Sequence, residues 1–189
     1  MRIRFLIFLL FIFSCQGELQ ESNSKSSKIE KSVYLKIITE SRKFFVGDFD
    51  NDRFNDTAFV RYKWNIETNE IECEKNNCDI SIEFRKNIPK LSFSRSKGII
   101  VSKTEDVNND MANEIIVFSR TNEGWWNEIS VWSFKNGNWV EIANTNAFIS
   151  DNIDFENRII KENGKYYLIG EDKWNIDEKG DYKKIKLKL

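Results

Sequence analysis

The chain of 189 residues has no histidine, one proline, eight glycines, two methionines and three cysteines. Each scarcity removes a class of explanation. Without histidine, a Ser-His-Asp or Cys-His nucleophile system is impossible, because its general base is an imidazole. Zinc is disfavoured for the same reason, since a pair of thiolates without imidazole cannot complete an N/S tetrahedral shell. The glycines fall in no phosphate-loop or dinucleotide arrangement. Charge of one sign is missing too. With 29 basic and 30 acidic side chains and no basic stripe, no nucleic-acid partner is expected. The longest wholly apolar run is Phe5 to Phe13, far short of the roughly 20 residues that cross a bilayer.

What is present is a repeat. Asp48-Phe49-Asp50-Asn51-Asp52-Arg53-Phe54-Asn55-Asp56 recurs 58 residues later as Asp106-Val107-Asn108-Asn109-Asp110-Met111-Ala112-Asn113-Glu114. Positions one, four, five and eight are identical, and three and nine keep an oxygen-bearing side chain. Each copy is followed by an apolar run, Thr57 to Val60 and Ile115 to Phe118. This is an acidic loop feeding a strand, used twice. Hard cations such as calcium take oxygens from alternate positions of a tight loop. The first copy offers Asp48, Asp50, Asp52 and Asp56 with the carbonyl of Phe54; the second offers Asp106, Asn108, Asp110 and Glu114 with the carbonyl of Ala112. Position twelve holds Phe59 or Val117 instead of glutamate, which excludes the helix–loop–helix calcium hand. The plainer alternative is a solvated hairpin connection, since Asp and Asn are ordinary turn residues.

The segment Gly47 to Asp56 resembles the FG-GAP/VCBS-type repeat, the calcium-loop blade of integrin-like β-propellers, except at two inner glycines. Those places hold Asn51 and Arg53 here, and Asn109 and Met111 in the second copy. Asn tolerates a positive φ, whereas Arg or Met there costs about 1 kcal/mol. The resemblance implies blade-like antiparallel sheets and a structural calcium in each loop. A 58-residue period leaves room for fewer than three blades, so a closed propeller from one chain is not expected.

At the N-terminus, Arg2 and Arg4 precede the apolar run, and Ile12-Phe13-Ser14-Cys15 looks like a bacterial lipobox, in which Cys15 carries the lipid. Residues 1–14 then read as a lipoprotein signal and 15–32 as a flexible tether rich in Ser, Glu, Lys and Asn, leaving 33–189 as one β-domain. The alternative is an ordinary secretory signal with a chance cysteine. Either implies export. The first implies anchoring to the bacterial outer membrane or cell surface, with the periplasmic face left open, because multiple acyl chains hold stably.

Cys73 and Cys78 remain as a disulfide pair in an oxidising compartment, or as two free thiols; alternation around Lys75-Asn76-Asn77 predicts a hairpin whose tip they close. Hairpins are expected across Ile129–Ile142 with an Asn-Gly turn, and across Arg158–Ile169, with a last strand near Tyr182 to Leu187. About ten short antiparallel strands result, and the fold class is all-β. Of six tryptophans, Trp132 and Trp139 are expected as cross-strand core partners, with Trp64 and Trp174 filling sheet faces. Trp125 and Trp126 are adjacent, so both cannot face the core, and they are candidates for stacking on a sugar.

The expected function is non-enzymatic: a lipid-anchored binding module braced by calcium, with a protein or a polysaccharide as partner. A carbohydrate-binding or surface-polysaccharide-associated protein is the alternative. A two-carboxylate glycoside hydrolase needs no histidine and is the enzymatic alternative.

Overall fold

The computed structural model describes residues 37–74, 78–85, 87–121, 123–148 and 156–189. The signal, the tether and Cys15 lie outside the described residues. Every pairing is antiparallel, and among the described residues the only helical turn is a 3₁₀ turn at Glu156–Arg158. The first sheet contains β1 (Ile37–Gly47), β2 (Asp56–Asn65), β3 (Glu70–Ile71), β4 (Ile80–Phe84) and β5 (Leu91–Phe93), in the order β1-β2-β4-β5 with β3 on β2. The middle sheet runs β6 (Ser96–Lys103), β7 (Ile115–Thr121), β8 (Trp126–Lys135), β9 (Asn138–Phe148). The third runs β10 (Ile159–Glu162), β11 (Lys165–Ile176), β12 (Tyr182–Lys188). The all-β architecture of antiparallel sheets is as expected, and among the described residues no barrel or propeller closes. Those residues form twelve strands, of which β1, β9 and β11 run to eleven or twelve residues, longer than the short strands expected.

Alternation explains how the sheets stack. One face of the first sheet, with Val46, Val60, Tyr62, Ile80 and Ile82, packs against Ile99, Val101, Ile115 and Val117 of the middle sheet. The opposite face of that middle sheet, with Ile116, Phe118, Ile129 and Val131, packs against Leu168, Ile159 and Leu187 of the third. Ile115 to Phe118 is an unbroken apolar run because the middle sheet is covered on both sides. Each fully buried residue of this size contributes about 1.5–3 kcal/mol. Gly170 sets the closeness of the third sheet: a Cβ there would sit 1.9 Å from Thr145 Oγ1 on β9.

Three expectations are corrected. Glu70–Ile82 is not a hairpin. β3 and β4 both run antiparallel to β2, so they are two halves of one interrupted strand. Trp64 pairs with Ile71, and unbroken pairing would bring Arg61 opposite Glu74; it faces Ser81, seven residues further on. The Cys73–Cys78 disulfide closes that excursion rather than a hairpin tip. Trp132 and Trp139 are not opposite each other, because the two-residue turn Asn136-Gly137 (φ 52° and 78°) fixes Phe134 against Trp139 and leaves Trp132 against Glu141. Trp174 fills no sheet face and is 90% exposed.

Candidate metal centres

Both acidic loops join neighbouring antiparallel strands, β1 to β2 and β6 to β7, at the same end of their sheets. Position two anchors each loop: Phe49 is fully buried in the first core cluster and Val107 is buried in the second. Phe49 packs edge-on against Phe84 and Phe134, at 5.1 and 5.6 Å between ring centroids. With that residue pinned, the chain curls through positive φ at positions four and six, 59° and 72° at Asn51 and Arg53, 61° and 73° at Asn109 and Met111. The two places where the sequence lacks glycine therefore adopt the glycine conformation.

The curl turns backbone N–H groups onto the carboxylates, and four such bonds recur in both copies, while a fifth, from Asp52 N to Asp50 Oδ1 at 3.3 Å, has no counterpart at Asn108. Asp52 N donates to Asp48 Oδ1 and Asp110 N to Asp106 Oδ1, each at 3.1 Å. Arg53 N and Met111 N donate to the second oxygen of the same residues, at 2.7 and 2.9 Å. Phe54 N donates to Asp52 Oδ1 at 2.9 Å and Ala112 N to Asp110 Oδ1 at 3.2 Å. Phe49 N donates to Asp56 Oδ2 at 3.3 Å, Val107 N to Glu114 Oε2 at 2.8 Å. The first loop gathers Asp48, Asp50 and Asp52, and the second gathers Asp106, Asp110 and Glu114, each with carboxylate oxygens within 4.8 Å of one another. Asp56 lies outside the first triad. These clusters can hold a metal ion.

The second centre is the more buried. Burial pushes the Glu114 carboxyl up to about 7, and the neighbouring charges of Asp110 and Asp106 add to that against the Val107 N–H and Ser133. Burial also pushes Asp110 up, but the Ala112 N–H, the Asn108 amide and the Lys135 ammonium, 3.4 Å away, outweigh it and hold the group below its ordinary value. Asn108 places Nδ2 2.6 Å from Glu114 Oε1 and 2.9 Å from Ser133 Oγ. Its Oδ1 is buried and has no hydrogen-bond partner among the described residues. An oxygen left in that state at position three of a ligand loop fits a hard cation. Lys135 is the built-in competitor, since its charge already neutralises part of the cluster.

Compared with known proteins, the chain matches no family model, no curated protein and no solved structure. The reading of the site therefore rests on its geometry.

The two loops also touch. Asn113 N donates to the Asp48 carbonyl at 2.8 Å, and Asp48 N donates to Asn113 Oδ1 at 3.2 Å. Asn113 Nδ2 reaches back to the Thr104 carbonyl at 2.9 Å. Gly47, at φ 76°, makes room: a Cβ there would stand 2.8 Å from Asn113 Oδ1. Sequence reasoning missed this clamp, Ser133 and Lys135. The identity of position eight in both copies was the one signal that pointed to Asn113.

The remaining candidates are dispersed. Trp126 packs against Tyr182 and Phe148, at 4.6 and 5.3 Å, and lies under the Lys173 ammonium. Trp125 is 53% exposed. Of the proposed stacking pair, one is thus a joint between β8, β9 and β12, and only the other faces solvent.

Proposed function

We propose that the chain is an exported lipoprotein, held through Cys15 at a bacterial outer membrane or cell surface, whose calcium-braced β-domain works as a binding module. The observation that carries this reading is the fourfold match between the loops: four backbone-to-carboxylate hydrogen bonds and two positive φ angles recur in each. In each loop that curl leaves three carboxylates with oxygens within 4.8 Å of one another, a crowding of charge that a bound cation offsets. Calcium suits an all-oxygen set on a bent loop, whereas magnesium demands near-ideal octahedral geometry and keeps most of its water. The ion's role is bracing, because the loops join the strands on which both core clusters are built. Export is supported by the Cys73–Cys78 disulfide, a bond that persists in oxidising compartments.

The test is calorimetry on the full chain in detergent. With calcium about tenfold above its dissociation constant, each occupied loop adds ~1.4 kcal/mol. That raises the melting temperature by about 3–6 °C over the chelated protein. The double variant Asp48→Ala, Asp52→Ala loses the first loop's share. A melting temperature indifferent to calcium in both proteins would sink the bracing ion.

A further inference from the structure

We propose that the cleft between the first and middle sheets binds an acidic oligosaccharide. It deepens the binding-module reading and rests on it, but involves neither acidic loop. The cleft has a volume of about 740 Å³, within the roughly 300–1,000 Å³ of ligand sites. It is formed by Arg42 of β1, the far end of β2, β3, the start of β6 and the end of β7, at the end of the sheets away from the loops.

Two kinds of group meet there. Trp64 of β2, half-buried, supplies the aromatic surface, edge to face at 6.2 Å with Tyr62, which is buried beneath the Arg42 guanidinium. Arg42, Lys97 and Arg120 supply charge. Arg42 Nε donates to the Tyr62 hydroxyl at 3.1 Å, and that hydroxyl donates to Glu40 Oε2 at 3.1 Å, which fixes the guanidinium on the ring. Lys97 and Arg120 are exposed and have no ion pair among the described residues. The cleft also carries two carboxylates. Glu72 is occupied by Asn65 Nδ2 at 2.8 Å, and Glu70 is exposed on the two-residue strand β3. Arg42 shares the Tyr62 hydroxyl with Glu40, so Lys97 and Arg120 are the charges left for a ligand.

A uronic-acid ring matches both halves of this surface at once. Its C–H face lies on an aromatic ring, and its carboxylate accepts from a guanidinium or ammonium. An acidic peptide offers the charge without the stacking face. Nor is the cleft wall a free edge for strand addition at Glu72, whose N–H is already given to the Lys63 carbonyl at 2.8 Å.

The experiment titrates the full chain in detergent with trigalacturonate, a hyaluronan hexasaccharide, fully methyl-esterified trigalacturonate and tetraglutamate, read by calorimetry. At least one of the two acidic saccharides is expected to bind. The methyl ester is expected to bind about tenfold or more weakly, the cost of one lost charged contact. The double variant Lys97→Glu, Arg120→Glu, in exposed positions, is expected to melt as the parent does and to lose affinity by a similar factor. Binding of neither acidic saccharide, undiminished binding by the double variant, or tetraglutamate binding as tightly would each overturn the proposal. None of those results touches the calcium-dependent melt, so the cleft and the loops fail separately.

Discussion

Arg53 and Met111 hold φ angles of 72° and 73°, a conformation glycine adopts without strain and a long side chain does not. Replacing each by glycine is expected to stabilise the fold by about 0.5–1 kcal/mol per site, net of the entropy glycine adds to the unfolded chain. Chemical denaturation of Arg53→Gly and Met111→Gly would show a higher midpoint at unchanged slope; a lower midpoint would mean that the side chains are needed. Glu171 makes a different residue-scale case. Its side chain is 5% exposed, beside Arg158 Nη1 at 2.8 Å and Lys184, and accepts from Phe148 N at 2.8 Å. The Arg158 contact is ionic more than a well-angled hydrogen bond, since Nη1 meets no acceptor squarely. Burial pushes the Glu171 carboxyl up, but Arg158, Lys184 and the Phe148 N–H outweigh it, so the folded group stays below 4.5. The unfolded chain then takes up the proton first as pH falls, and stability rises with pH across that range. The contribution is complete well above pH 4.5 and disappears as pH drops through the folded value. Glu171→Gln is expected to cost about 2–3 kcal/mol at pH 7, leaving the half-buried Arg158 without its partner, and to flatten the acid limb of a stability–pH curve.

At the scale of elements, the acidic loops could be read from the chain and the excursion after β3 could not. A loop whose ligands alternate carries its geometry in its own spacing, so both strand junctions fell where the repeat placed them. The hairpin turns Asn136-Gly137 and Asn163-Gly164 were legible for the same local reason. The segment from Glu70 to Ile82 alternates like a hairpin, yet which strand it pairs with is decided by β2, which offers partners to both halves. Alternation gives a face and not a neighbour. The clamp between Asp48 and Asn113 was illegible because it spans 65 residues and exists only once the first and middle sheets are stacked. The disulfide closes a short loop, so removing it with Cys73→Ser and Cys78→Ser should lower stability by only about 2 kcal/mol, measured by denaturant unfolding. A loss much larger than that would show that the excursion organises β4 as well as closing itself.

At the largest scale, the three sheets of the described residues form a stack that ends itself. The outward positions of the first sheet are Lys43, Phe45, Phe59, Arg61 and Lys63, with Lys43 over the Phe45 ring and Arg85 over Phe59. On the third sheet Lys186 covers Tyr167. The middle sheet has no such protection. Truncation after Phe148 is expected to bare Ile116, Phe118, Ile129 and Val131 and to cause aggregation, which light scattering would detect. A monodisperse truncated protein would refute the stacking. The join between Asp48 and Asn113 has a consequence for how such a duplicated chain can change. Asp48 enters it through its backbone alone, whereas Asn113 enters with its side chain and Gly47 leaves the room that side chain needs. Neither copy is free to drift alone at these two places, because Asn113 serves its own turn and is also a wall of the other.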